Sequence, residues 1–358
     1  MPCNKCSEII LLEEIESKIY ILSEFDELID KSTILFNKLN IDITSEQGLI
    51  TVSAKNTKAF FYENINTFNS SFNELERNDI KVFIEYLDGS KFNYQSMLLA
   101  KPLQRFINII EDKEFFDILN NEALTSHFQP IINMKDNTIY AYELLTRGVR
   151  ADGKLMYPDV LFKKSKANDL DFRLDRLCRE TALKTAAVKK VSQKIFINFI
   201  PTAIYDPEFC LATTEKWAKE LNFDPSQIIF EVVETELVKD QEHLKKILNY
   251  YRKEGYKIAL DDVGEGYSSL NMLIELKPDI IKIDRNIIDG IEKNHLKQSV
   301  FKALSNIAKE HGIEVLAEGV ETKEELEMIK SIGVDYVQGY YFARPSSEPI
   351  RKIPKRFK

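Results

Sequence analysis

The chain has 358 residues, 44% of them apolar and 30% charged, which suits two packed, soluble domains and excludes wholesale disorder. Its formal net charge of −8 argues against broad DNA or RNA binding, which depends on lysine and arginine neutralising phosphates. No run approaches the roughly 18 apolar residues of a membrane helix. The opening MPCNKCSEII lacks a basic segment followed by a long apolar one, so the expectation is a cytoplasmic protein with no membrane contact.

Residues 1–115 read as a small α+β domain. Lys18–Phe25, Gly48–Ala54 and Ile80–Leu87 are rich in strand formers, and Asp88-Gly89 offers a hairpin turn. Asp26–Leu39 and Thr57–Arg77 carry apolar residues at helical spacing. Nothing in this part looks catalytic, and its position ahead of a second domain suggests a regulatory or sensory role. Cys3 and Cys6 form a CxxC, but a single pair supplies only two metal ligands, and no second pair or HxxxH follows. Cys178 and Cys210 read as ordinary reduced thiols. From Gln95 the pattern turns helical, a linking helix that runs to about residue 124.

From 125 to 350, strand-like runs recur at 127–133, 138–145, 194–200, 228–233, 257–261, 280–283, 314–317 and 335–340. Helix-like stretches at Glu215–Leu221, Glu242–Glu254, Gln298–His311 and Lys323–Ile332 separate them. Such alternation, at this count and length, predicts an α/β fold: a TIM-type (β/α)8 barrel. The first two runs are joined only by Met134–Thr138 and form a hairpin, so one strand is antiparallel.

Active sites of such barrels lie at the C-terminal ends of the strands. Seven successive runs there hand over to a polar residue: Glu143, Asn198, Glu231 (with Glu234 three on), Asp261-Asp262, Lys282, Glu318 and Gln338. Each alone has an ordinary explanation as a helix cap, turn residue or surface charge. Their common phase with the strands does not. So many carboxylates repel one another and raise one another's pKa unless cations sit among them. Hard divalent ions with oxygen ligands, Mg2+ or Mn2+, are the chemical solution. The four histidines, at 127, 243, 295 and 311, stand away from the strand ends, which disfavours a histidine-rich zinc or iron site. The adjacent Asp261 and Asp262 suit bridging and flanking of two ions. After them, Gly264 and Gly266 permit unusual backbone geometry and Ser268 or Ser269 can cap a helix, the composition of a moving lid.

These residues stand in ordered motifs: YELLTR (142–147), INFIP (197–201), FEVVETE (230–236), LDDVGEGYSSL (260–270), IIKIDR (280–285), LAEGVET (316–322) and VQGYYFARP (337–345). In these the domain resembles the EAL family of cyclic di-GMP phosphodiesterases. The resemblance implies hydrolysis of cyclic di-GMP to linear pGpG with two Mg2+ or Mn2+ ions. It implies that Glu143, Asn198, Glu231 and Asp261 hold one ion, and Asp261 with Asp262 the other. Lys282 then handles the attacking water with Glu318 beside it, Glu234 anchors the loop after Asp262, and Gln338 supports the metal–water network. Gln129 (of FQP), Arg147 and Pro345 match substrate-contacting positions. The resemblance also implies a homodimer across the barrel helices. A receptor that binds cyclic di-GMP without cutting it, and signals through residues 1–115, is the alternative. A protein-interaction module that ignores nucleotide would leave the aligned polar residues unexplained. The chain departs from the family pattern at Leu144, where Ala is usual, and at Val263 and Glu265, where DVGEG replaces DFGTG.

Overall fold

The computed structural model describes residues 12–87, 98, 100–233, 241–264 and 269–353. Cys3, Cys6, Asp88-Gly89, Glu234, Glu265, Gly266 and Ser268 lie outside these. The chain divides into two compact units, one of Glu8–Asn120 with Lys166–Asn168, the other holding Asn121–Ser165 and everything from Asp169.

The first unit is a sheet of β1 (Ser17–Leu22), β2 (Ile43–Glu46), β3 (Leu49–Ala54), β4 (Lys81–Tyr86) and β5 (Lys101–Pro102), in the order β2-β3-β1-β4-β5. All neighbours are antiparallel. With α1 (Asp26–Lys38) after β1 and α2 (Thr57–Ser71) after β3, this is a ferredoxin-like βαββαβ unit extended by β5. In β1, Ser17, Ile19 and Ile21 are buried in alternation, as a sheet with one covered face requires. Strand β2 is an addition to the expected elements. Gln47 and Gly48, both at positive φ (49° and 78°), turn it into β3 as a tight hairpin. The single helix expected over Thr57–Arg77 is two. Phe72 is extended, and Asn73 starts α3 (Glu74–Asp79) with a capping box to Glu76. The linking segment is likewise two helices, α4 (Leu103–Glu111) and α5 (Lys113–Asn120).

In the second unit, β6 (Leu124–Asn133) and β7 (Thr138–Val149) form the expected hairpin, and β8 (Leu155–Met156) adds to β7. Two helices, α6 (Pro158–Ala167) and α7 (Asp171–Val188), then lead to β9 (Lys194–Phe199). The short α8 (Pro207–Cys210) and α9 (Ala212–Glu220) lead to β10 (Ile228–Val233), and α10 (Gln241–Lys253) to β11 (Lys257–Val263). There follow α11 (Ser269–Leu276), β12 (Ile280–Ile283), α12 (Arg285–Ile288), α13 (His295–Glu310), β13 (Glu314–Ala317), α14 (Lys323–Ile332) and β14 (Tyr336–Val337). β7 and β9 to β14 are parallel in sequence order, and β6 closes the barrel antiparallel to both β7 and β14. This is the expected eight-stranded mixed barrel. β14 stops at Val337, short of the expected 340, because the chain there turns away to bond Val320.

Its floor is a single layer of side chains, one from each strand: Ile131, Ala141, Phe196, Ile229, Ala259, Ile280, Leu316 and Tyr336. None is more than 6% exposed. Outward-facing neighbours such as Tyr142, Ile195, Phe230 and Ile281 pack the barrel against its helices. Leu144 and Val263, two departures from the family pattern, are both buried in this outer core, so they are packing changes.

Candidate active site

Side chains along a strand alternate between faces with period two. Two residues beyond each floor residue therefore points into the same barrel one level up. In the seven parallel strands those positions are Glu143, Asn198, Glu231, Asp261, Lys282, Glu318 and Gln338. In the antiparallel β6 the level is reached two residues earlier, at Gln129, which pairs with Glu143. An apolar floor in every strand is thus followed by a polar layer in every strand.

Asp262 would ordinarily face outward. It turns to the mouth through a bulge: Asp261 and Asp262, the two residues between Leu260 and Val263, oppose the single Lys282 between Ile281 and Ile283, and Asp262 adopts a left-handed φ of 53°. Carboxylate oxygens of Asp261, Asp262 and Glu318 consequently lie within 4.8 Å of one another. These three can hold a divalent ion, and their donors are all oxygen. His127, in the rim half of β6 because that strand runs backwards, corrects the expectation that no histidine stands near the rim. Its ring bonds the backbone of Pro345, and no histidine belongs to the three-carboxylate group.

At the centre, the Lys282 ammonium meets Glu231 at 2.5 Å, Glu318 at 2.8 Å, Asp261 at 2.9 Å and Glu143 at 3.9 Å. Burial alone would lower the Lys282 pKa, but the four carboxylates together hold it well above the ordinary lysine value. Glu231 is fully buried, and desolvation, reinforced by Glu143 and Asp261, raises its pKa well above the usual range despite Lys282. Burial pushes Glu318 in the same direction. Glu143 is fixed by two amides: Gln338 Nε2 donates to Oε2 at 2.5 Å and Asn198 Nδ2 to Oε1 at 3.3 Å. One ammonium among five carboxylates leaves surplus negative charge and unsaturated oxygen, such as Glu231 Oε2, which has no hydrogen-bond partner. The donor set therefore fits hard divalent cations.

Residues 112–345 match the EAL domain family. The chain belongs to that family. It is 30% identical over 235 residues to the probable cyclic di-GMP phosphodiesterase PdeG of Escherichia coli (strain K12), covering 63% of this chain and 45% of that one. The chain spans less than half the length of curated relatives such as this one. A standalone versatile EAL protein from Vibrio cholerae O395, in its c-di-GMP-bound form, is 36% identical. It superposes with a TM-score of 0.60 over 65% of this chain and 97% of that one. The manganese/cy-diGMP complex of Klebsiella pneumoniae BlrP1 shares the fold at 21% identity, with a TM-score of 0.58 over 92% of this chain and 96% of that one.

Above the polar layer of the EAL domain lies a cavity of about 320 Å³, within the range of small-ligand sites. It is lined by Gln129, Glu143, Asp261, Asp262, Lys282, Glu318 and Gln338, together with Arg285, Gly319, Glu321, Gly339 and Tyr340. The last five escaped sequence reading, although their signal was present: each follows a layer residue by one to three positions. Arg285 Nη1 meets Glu321 Oε1 at 2.7 Å, and the Arg344 guanidinium lies 4.2 Å from the Tyr340 ring centroid. Asn198 and Glu231 sit beneath the cavity and do not line it. Nor do Arg147 and Pro345. Arg147 is buried, with its guanidinium over Tyr157 at 5.0 Å, Nη1 bonded to the Thr146 carbonyl and Nε without a partner.

Beyond the site, Cys178 and Cys210 are free and buried, and desolvation pushes the Cys178 thiol up to about 12, so it is an inert thiol at neutral pH. Among the described residues no helix is long and apolar enough to cross a membrane.

Proposed function

We propose that this EAL domain hydrolyses cyclic di-GMP to linear pGpG. The observation that carries the reading is the unbroken polar layer: every barrel strand contributes a hydrogen-bonding or charged side chain directly above an apolar floor residue. Names of the relatives, and the c-di-GMP bound by the Vibrio cholerae protein, support the choice of substrate.

Glu143, Asn198, Glu231 and Asp261 would hold one divalent ion, Mg2+ or Mn2+, and Asp261 with Asp262 a second. The proximity of Glu318 to both aspartates places a further carboxylate beside them. When bound, such ions lower the pKa of the attacking water and neutralise charge gathering on the phosphate. The chain's own groups do the rest. Lys282, held protonated by its carboxylates, would position the attacking water by giving up one of its carboxylate contacts, and Glu318 at 2.8 Å orients the ammonium. Gln338 and Asn198 fix Glu143 so that its oxygens face the barrel axis. Gln129 and Tyr340 line the substrate's path, and Arg147, buried outside the cavity lining, is proposed as a phosphate contact on the resemblance alone. Glu234 is proposed to anchor the loop after Asp262, and Pro345 to border the substrate. Water attacks phosphorus in line with the departing 3′ oxygen. One P–O bond forms, one breaks, and the proton leaving water balances the one taken up by the departing 3′ oxygen, which becomes the 3′ hydroxyl.

The deciding test incubates metal-stripped protein with cyclic di-GMP, with and without Mn2+, and separates the products by chromatography. Metal-dependent appearance of pGpG is expected; retained nucleotide with no cleavage would instead make the protein a receptor.

The raised pKa values of Glu231 and Glu318 give a second expectation. In the metal-free protein these carboxyls keep their protons at a pH where exposed carboxyls have lost them, and a cation must displace those protons to bind. Mn2+ affinity by calorimetry should keep rising with pH above the range in which exposed carboxyls have already lost their protons, with net proton release. Affinity independent of pH, with no heat from buffer ionisation, would contradict the placement of both residues at the metal.

A further inference from the structure

Helix α7 carries a buried ion pair that the polar layer does not contain. Asp175 and Arg179 stand one turn apart, 2% and 1% exposed, with Asp175 Oδ2 at 2.9 Å from Arg179 Nε and 2.8 Å from Nη2. Arg179 Nη1 donates to the hydroxyl of Thr214, on α9. A pair as deeply buried as this confers little net stability over apolar residues of the same volume, because both charges are desolvated. Its free oxygen has a use elsewhere. Asp175 Oδ1 accepts the backbone N–H of Ile200 at 2.8 Å.

Ile200 is the first residue past β9. The ladder to β10 ends with Phe199 opposite Val232, and the next residue, Pro201, has no N–H to give. The Ile200 N–H is therefore the last donor with which β9 can be held, and a carboxylate on the covering helix holds it. Two residues back along this strand is Asn198, whose Nδ2 reaches Glu143. We infer that Asp175, kept in place by Arg179, is a positioning residue for Asn198. It fixes the end of β9 from outside the barrel so that the amide stays aimed at the metal-facing carboxylate. The inference rests on the proposed placement of Asn198 at a metal.

The test compares three full-length proteins with the parent by calorimetric Mn2+ titration, and by hydrogen exchange of segment 194–200 without metal. Asn198→Ala sets the scale, a loss of affinity of about 10-fold or more. Asp175→Leu with Arg179→Met removes the acceptor but leaves neither a hole nor a lone charge. It should melt within a few degrees of the parent, exchange faster over 194–200, and lose about 10-fold in Mn2+ affinity. Asp175→Asn with Arg179→Met keeps an oxygen for the Ile200 N–H and should restore affinity to within about threefold. Parental affinity in the leucine variant, failure of that variant to fold, or failure of the asparagine variant to restore binding each overturns the positioning role. If Asn198→Ala itself binds Mn2+ as the parent does, the placement of Asn198 at the metal falls, and this role with it.

Discussion

Asp261→Asn is expected to cut cyclic di-GMP hydrolysis by more than about 100-fold while leaving the metal-free protein folded. Asp261 belongs to the polar layer and also forms, with Asp262 and Glu318, the group whose oxygens converge within 4.8 Å. An amide keeps the shape and one oxygen but removes a full negative charge from the place where two cations are proposed to meet. The fold should survive the change, because Lys282 keeps Glu231 at 2.5 Å and Glu318 at 2.8 Å, and removing one of several like charges relieves repulsion. Glu143→Ala should lose activity on the same scale for a different reason, since it also strands the amides of Gln338 and Asn198. Steady-state rates at saturating Mn2+, read beside melting curves without metal, separate the cases. An Asp261→Asn protein that turns over substrate at the parental rate would remove the metal site from the account. One that is inactive only because it has unfolded would leave the chemistry unsupported.

Most of this site could be read from the order of residues because a parallel strand repeats a simple rule. Apolar residues run to the strand's end, and a polar one appears where the barrel opens. That rule found Glu143, Asn198, Glu231, Asp261, Lys282, Glu318 and Gln338. It could not find Gln129, since β6 runs backwards and delivers its polar residue near its start; only the matching FQP motif pointed there. Nor could period two explain why Asp262 shares the mouth with Asp261. That takes the bulge, a feature of how β11 pairs with β12, which the strand does not carry alone. The fold followed the same division. Eight runs and their spacing gave the barrel, while the capping box at Asn73 and the Gln47-Gly48 turn altered local elements in the first unit. Asp175 was invisible for a stronger reason. A charged residue on an amphipathic helix reads as solvated, and only the packed structure reveals that its oxygen caps the end of the strand the helix covers.

Gly339→Ala should be strongly damaging. Gly339 directly follows the layer residue Gln338, and dipeptides of this kind ordinarily read as turns. The conformation there is not the issue, since Gly339 is absent from the positive-φ glycines. Space is. An added Cβ would stand 2.0 Å from the Val320 carbonyl oxygen, 2.4 Å from its nitrogen and 2.7 Å from its carbon. All three are backbone atoms, in a segment pinned on both sides. The Val320 N–H donates to the Gln338 carbonyl at 3.0 Å, and its carbonyl accepts from the Tyr341 N–H at 3.0 Å. A side chain could rotate away from such a contact, but these atoms can move only if the loop after β13 separates from the loop after β14. That separation would carry Glu318 and Gln338 apart and loosen Glu143 with them. Overpacking against immovable atoms costs about 3 kcal/mol or more, which for a unit of this size lowers the melting temperature by roughly 6 °C or more. Activity should fall by at least about 100-fold, since displacements near 1 Å already have that effect. Gly312→Ala is the control. Its φ of 69° is strained for alanine, yet nothing lies within 4 Å of the new methyl group, so the cost is the backbone strain of about 1–2 kcal/mol, with activity kept. If the two variants melt together and both hydrolyse substrate normally, the close approach of the two loops is not what holds the layer in register.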